Sequence, residues 1–207
     1  IHNNTSEPKN LFGYGITDDP NDLQKWVFPP TIINPYDYLI LFASEKNRDN
    51  IVVQWDAVID WGDVWSYWVG NSEPILDWES PETDLSFWPT GSSGFGYGDY
   101  DDNTEIEQTT SVYVRKSFTI GDPNIISRAL FHIDYDDGYI AYLNGIEFSR
   151  RNLGAVGTPI SYNTTTTALH EAEIYAGGSP ETVIINLEEV PFVQGANTLA
   201  IQVHNYS

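Results

Sequence analysis

The sequence contains no cysteine and no methionine. Without thiols there can be no disulfide, no thiolate zinc site and no cysteine nucleophile, and the redox compartment leaves no trace. With no Met, the chain does not open on a start residue, so Ile1 is expected to be a processing or excision point. Basic residues are scarce: nine Lys and Arg stand against thirty Asp and Glu, a formal charge of −21. Such a surface repels phosphate backbones and anionic lipid, which argues against nucleic-acid binding and membrane-surface association, and it favours divalent cations or neutral ligands. No apolar run approaches the ~20 residues of a membrane span, and no signal peptide is visible, so membrane insertion is not expected.

What is present suits a folded core. The 207 residues are 41% hydrophobic and 14% aromatic, with 7 Trp, 13 Tyr and 9 Phe, a content that disordered chains lack. No stretch carries a helical stripe, whereas period-two alternation recurs. In 111–120 one face reads Val112, Val114, Lys116, Phe118 and Ile120. In 128–135 Ala129, Phe131, Ile133 and Tyr135 alternate with Arg128, Leu130, His132 and Asp134. Leu199, Ile201 and Val203 alternate with Thr198, Ala200, Gln202 and His204, and Val183, Ile185 and Leu187 repeat the pattern. Asn144-Gly145 is a two-residue hairpin signal, because both central positions need positive φ, and Asp137-Gly138 precedes it. Residues 129–149 therefore read as strand, turn, strand, turn, strand. Many short strands joined by such turns imply an all-β jelly-roll sandwich.

The seven tryptophans all precede residue 90, and the polar run 45–50 is the best linker. Ahead of it, Trp26-Val27-Phe28 and Tyr38–Ala43 read as two strands of a small β unit that leans on its neighbour. The expected organisation is 1–50 and 51–207.

Enzyme signatures are absent: there is no G-x-S-x-G elbow or Walker loop, and His170-Glu171 lacks the second His of a zinc protease motif. Thirty carboxylates place some pair at glycosidase spacing by chance, so none is nominated and no catalytic residue is expected. The densest polar constellation is 99–105, Asp-Tyr-Asp-Asp-Asn-Thr-Glu, after a glycine-rich stretch. Asp99, Asp101 and Asn103 have the alternate spacing that opens many calcium loops, although Thr104 and Thr110 stand where an EF-hand needs Gly and Glu. The competing reading is a solvated loop whose side chains cap turns. Asp134–Gly138 and Asp18–Asp22 read as turn formers. Rings beside carboxylates and amides can hold sugars, which makes Trp88, Tyr97, Tyr100 and Arg151 ligand candidates. Trp61, Trp65 and Trp68, within the strand-like run 59–69, read as core or sheet-packing residues.

As a set, 59–67 (Ile-Asp-Trp-Gly-Asp-Val-Trp-Ser-Tyr), 94–99 (Gly-Phe-Gly-Tyr-Gly-Asp), 111–118, His132–Gly138, Tyr142–Gly145 and 195–205 resemble the galactose-binding-like jelly-roll modules of large secreted bacterial surface proteins, including spore-coat kinase-like (CotH) proteins. Residues 1–4, 11–19, 25–29 and 38–44 resemble part of a lamin-tail domain, an immunoglobulin-like sandwich, here lacking strands on both sides. The resemblance implies a secreted, cell-surface location and a non-catalytic accessory role, and it leaves the ligand open, because many such modules bind calcium structurally and some bind nothing known. One structural calcium ion, held by Asp99, Asp101 and Asn103, is expected from the spacing of the acidic loop. The expected function is a carbohydrate-binding or adhesion module with polysaccharide as partner. The alternative is a structural spacer or self-assembly module that binds other protein modules or its own copies.

Overall fold

The computed structural model describes residues 1–41, 55–98 and 102–206. The chain divides into two compact units, Ile1–Trp55 and Asp56–Ser207.

In the first unit, β1 (Lys9–Asn10) pairs antiparallel with β4 (Ile32–Ile33), and β2 (Gly15–Ile16) with β3 (Trp26–Val27). These ladders are two residues long, and a buried amide supplements them. The Asn3 Nδ2 donates to the carbonyls of Glu7 (2.7 Å), Ile33 (3.1 Å) and Asn34 (3.0 Å), tying the N-terminal segment to β4. The strand expected over 38–43 is not formed at its described positions. Tyr38 makes an isolated bridge to His2, with the rings stacked at 4.2 Å. Pro35 and the positive φ of Tyr36 (60°) place a turn directly before it, and 42–43 lie outside the described residues.

The second unit is a β-sandwich. Its larger layer comprises β5 (Val64–Val69), β6 (Thr90–Ser92), β9 (Ser111–Ile120), β11 (Gly138–Leu143), β12 (Ile146–Arg151) and β14 (Gly195–His204). They run in the order β12-β11-β14-β9-β5-β6, every neighbouring pair antiparallel. The smaller layer is the ribbon of β10 (Ala129–Ile133) and β13 (Glu181–Ile185). A short parallel pair, β7 (Phe95–Gly96) with β8 (Thr104–Glu105), forms a two-stranded ladder of its own. The all-β class and the sandwich expected from alternation are what the chain adopts.

Period two explains the core. Val114, Phe118 and Ile120 of β9, Leu199 and Ile201 of β14, and Tyr139, Ala141 and Leu143 of β11 form one face. They pack with Phe131 and Ile133 of β10 and the half-buried Val183 and Ile185 of β13. The opposite face is not solvent, as a two-layer reading would have it. Tyr113 and Ala200 meet Trp78, Leu85 and Trp88, so the segment 70–89 covers the sheet. The Arg115 guanidinium, projecting from β9, donates to the carbonyls of Trp78 (3.1 Å), Thr83 (2.8 Å) and Pro81 (3.3 Å) and pins that cover in place. Thr198, Ala200, Gln202 and His204, the other half of the alternation in β14, are buried as well, Ala200 against this cover and His204 beside the Thr164 carbonyl.

The turns behave as their chemistry dictates. Asn144 (φ 52°) and Gly145 (φ 81°) close the β11–β12 hairpin. The preceding turn does something the pattern did not reveal: β10 and β11 do not pair, and 134–137 carries the chain from one layer to the other.

Candidate functional site

The positions singled out in the sequence fall into different environments. Trp88 is 4% exposed and belongs to the covered face, its ring 6.1 Å from that of Trp78 and 5.9 Å from that of Trp68. A ring so enclosed offers no face to a sugar, so the expectation of a ligand contact there is corrected to a packing role. Tyr97 is half-buried, and its hydroxyl accepts from the Asn205 Nδ2 at 2.7 Å, which fastens 97 to the end of β14. Arg151 is half-exposed at the end of β12, paired with Glu181 and donating to the Arg150 carbonyl at 2.8 Å. Asp99, Tyr100 and Asp101 lie outside the described residues. Asn103 is exposed, and its Nδ2 donates to the Ser93 carbonyl at 2.8 Å.

The two other acidic clusters serve the backbone. One Asp137 oxygen accepts from the His170 amide (2.9 Å) and the other from the Tyr206 amide (2.6 Å). Asp134 accepts from the amides of Glu173 (2.8 Å) and Ile174 (3.0 Å). Asp18 pairs with Lys25 at 2.5 Å, and Asp19 and Asp22 accept from amides two residues on. The expectation of a turn holds for 18–22, whereas 134–138, expected at a hairpin tip, bends the chain from one layer to the other. Among the described residues no group of three His, Cys, Asp or Glu is arranged to hold a metal ion.

A different residue has the properties sought in Trp88. Trp61 is 71% exposed, the most exposed of the seven tryptophans. It does not belong to β5, which starts at Val64, but to the turn 60–63. That turn is closed by the Asp63 amide donating to the Asp60 carbonyl at 3.2 Å, with Gly62 at φ 81° in third position. Several further bonds hold it rigid. The Asp60 amide donates to the Asp63 carboxylate (3.1 Å) and the Gly62 amide to the Ser93 hydroxyl (2.8 Å), while the Ser93 amide donates to the Asp63 carbonyl (2.9 Å). Lys116, the one polar member of the inner-face pattern of β9, reaches out to the Val64 carbonyl (3.1 Å) and the Asp63 carboxylate (3.2 Å). The Asp60 amide, and after it the Lys116 ammonium, hold the Asp63 carboxyl below the usual range, so it is ionised at neutral pH.

Ser93 links this turn to the region expected to bind. Asn103 donates to the Ser93 carbonyl, and Thr104 donates through its hydroxyl to the Ser92 carbonyl (2.7 Å) and through its amide to the Gly94 carbonyl (2.9 Å). One apex of the sandwich thus gathers an exposed indole, an ionised carboxylate, an ammonium and an amide on braced backbone. Sequence reasoning placed Trp61 with the core because it sits in an aromatic run. The missed signal was Asp60-Trp61-Gly62-Asp63, whose composition is that of a turn.

No helix among the described residues is long and apolar enough to cross a membrane. No family model matches the chain, and no curated protein matches it. Among solved structures, it is similar to part of a β-glucuronidase from Ruminococcus gnavus in complex with D-glucaro 1,5-lactone, with 11% identity and a TM-score of 0.39 over 70% of this chain and 21% of that one. The complex of Ruminococcus gnavus β-glucuronidase with uronic isofagomine gives 12% identity and a TM-score of 0.41 over 70% and 20%. A β-glucuronidase of glycoside hydrolase family 2 gives 15% identity and a TM-score of 0.43 over 70% and 13%. The chain spans less than a quarter of the length of each of these enzymes. At this level of identity and superposition the likeness carries no activity across.

Proposed function

We propose that the chain is a non-catalytic, glycan-binding β-sandwich module of an extracellular bacterial surface protein, with the Trp61 apex as its binding platform. The observation that carries this reading is a large indole left 71% exposed on a turn braced to Ser93 and Lys116. Solvent-exposed aromatic area on rigid backbone binds with little loss of conformational freedom, and a pyranose offers its C–H face to such a ring. Asp63, Lys116 and Asn103 supply acceptors and donors for hydroxyl groups near the same turn. The bacterial surface setting is the one that the sequence resemblance implies.

The reading includes one structural calcium ion held by Asp99, Asp101 and Asn103. It rests on the alternate spacing of these three residues in the sequence, and the exposed Asn103 is anchored through its Nδ2 to the Ser93 carbonyl. Occupancy at a hundredfold excess over Kd is worth about 2.7 kcal/mol of stability.

The test is retention on a panel of neutral polysaccharides, in calcium and again in chelator, for the native chain and Trp61→Ala. The expected result is retention by one polysaccharide class, weakened about tenfold or more in the variant. The variant's unfolding midpoint should not move, because an exposed side chain contributes little to stability. Retention untouched by Trp61→Ala overturns the site. Silence across the panel favours a spacer or self-assembly module, and release of reducing sugar overturns the non-catalytic reading. A melting temperature unchanged by chelator removes the calcium ion and leaves the glycan claim standing.

A further inference from the structure

A second feature lies away from the Trp61 apex, on the open side of the sandwich. A cleft of about 350 Å³ runs between β12, the last strand of the six-stranded sheet, and β13 of the ribbon. Its lining includes the consecutive residues Glu147 to Arg151 of β12 and the consecutive Val183 and Ile184 of β13. Successive side chains of a strand point to opposite faces, so a cleft that touches neighbours in sequence follows the strands' edges and not a face. Among the described residues β12 pairs only with β11 and β13 only with β10. Both strands therefore turn backbone N–H and C=O groups toward the opening without a ladder partner, which is the template for an added strand.

The side chains at the opening indicate what such a strand would carry. Ile184 is 71% exposed and Val156, on the other wall, 78% exposed. Both are aliphatic, and the one ring in the lining, Phe148, is half-buried, so the cleft lacks the exposed aromatic face that stacks on a sugar. A strand beside β13 would set alternate side chains against Val183 and Ile185 on the inside and against Thr182 and Ile184 on the outside. Charge narrows the choice. The Arg150 guanidinium is spent on both oxygens of Glu147 (2.8 Å each), and Arg151 is spent on Glu181. The Glu189 carboxylate at the rim has no partner among the described residues. A second copy of this chain would approach with its own charge of −21 and be repelled, whereas a basic segment would be drawn in.

We propose that the cleft between β12 and β13 is a docking site for an extended peptide of alternating aliphatic and basic residues, added as a third strand at the open edge of β13. The ribbon, the shorter layer, is thereby extended, and main-chain hydrogen bonds supply affinity while Val183, Ile184 and Glu189 supply preference.

The experiment uses the full chain, isotope-labelled, and three short synthetic probes: an alternating Lys-Val peptide, an alternating Glu-Val peptide, and the Lys-Val peptide N-methylated at alternate residues. Binding of Lys-Val should shift the amide signals of 181–185 and slow their hydrogen exchange. Ile184→Lys, which alters an exposed side chain only, should weaken it about tenfold or more. The Glu-Val and N-methylated peptides should leave those signals in place. The proposal is overturned if Lys-Val leaves the β13 amides unmoved at millimolar concentration, or if the N-methylated probe binds as well. Equal binding of Glu-Val, or retention of full affinity by Ile184→Lys, overturns the stated chemistry of the occupant. Shifts at β13 that grow with protein concentration and no peptide assign the edge to a second copy and overturn the proposal too.

Discussion

Two tryptophans 27 residues apart in the sequence show how far one residue type can differ in role. Trp88 is enclosed by Trp68 and Trp78, its indole Nε1 without a hydrogen-bond partner among the described residues, whereas Trp61 stands exposed on a turn. His204 is a third informative residue. It is fully buried, and its Nδ1 lies 2.7 Å from the Thr164 carbonyl, which can only accept, so Nδ1 carries the proton and Nε2 a lone pair with no partner among the described residues. Burial pushes its pKa down, opposed by the Thr164 carbonyl and then by the Glu73 carboxylate. In the native state the ring stays neutral where the unfolded chain takes up a proton. Stability from this residue is therefore complete above the unfolded value and falls as pH drops below it, with a slope of at most about 1.4 kcal/mol per pH unit. Urea unfolding at mildly alkaline and mildly acidic pH checks this. The native chain should lose more stability on acidification than His204→Gln, and equal losses would show that the ring is not held neutral.

The β11–β12 hairpin was legible as an element because Asn-Gly tolerates the left-handed conformation at both turn positions. Its attachment to the rest of the sheet was not. The Asn144 Nδ2 donates to Asn197 Oδ1 at 2.9 Å, and the Asn144 Oδ1 accepts from the Thr198 amide at 2.8 Å. Asn197 is fully buried and also binds the amide and carbonyl of Val193 (2.9 and 2.7 Å), so one side-chain pair joins the hairpin tip to the start of β14. Asn144→Gly keeps the positive φ free of strain and removes both bonds. It should destabilise the chain by about 1–3 kcal/mol, the cost of leaving the buried Thr198 amide without its acceptor. Denaturant unfolding measures this, and a change below about 0.5 kcal/mol, the range of ordinary surface substitutions, would remove Asn144 from the account. The crossing at 134–137 was hidden for a related reason. Asp137 takes a positive φ (61°) as a hairpin turn would, but its carboxylate is occupied by the amides of His170 and Tyr206, distant partners that no local pattern encodes.

At the scale of the whole molecule, charge is the dominant trait. Among the described residues five basic side chains are engaged: Lys25, Lys116, Arg150 and Arg151 with carboxylates, and Arg115 with three carbonyls. The large excess of carboxylates repel one another in the compact state, and added salt screens that repulsion. The melting temperature should therefore rise as ionic strength goes from about 0.01 M to about 0.15 M, where the screening length contracts from about 30 Å to about 8 Å. Calorimetry in sodium chloride makes the measurement, and a fall would mean that the few ion pairs outweigh the net charge. The same acidity was readable from composition, as were the all-β class and the face of each long strand that meets the core, because strand periodicity and net charge are local and additive properties. The placement of Trp61 on a turn was also written in its neighbours Asp60, Gly62 and Asp63, whereas the cover over the second face, the crossing between layers and the burial of Trp88 came only with the tertiary structure. Each depends on contacts between segments far apart in sequence, and a residue's own type and near neighbours do not determine which distant segment comes to lie on it.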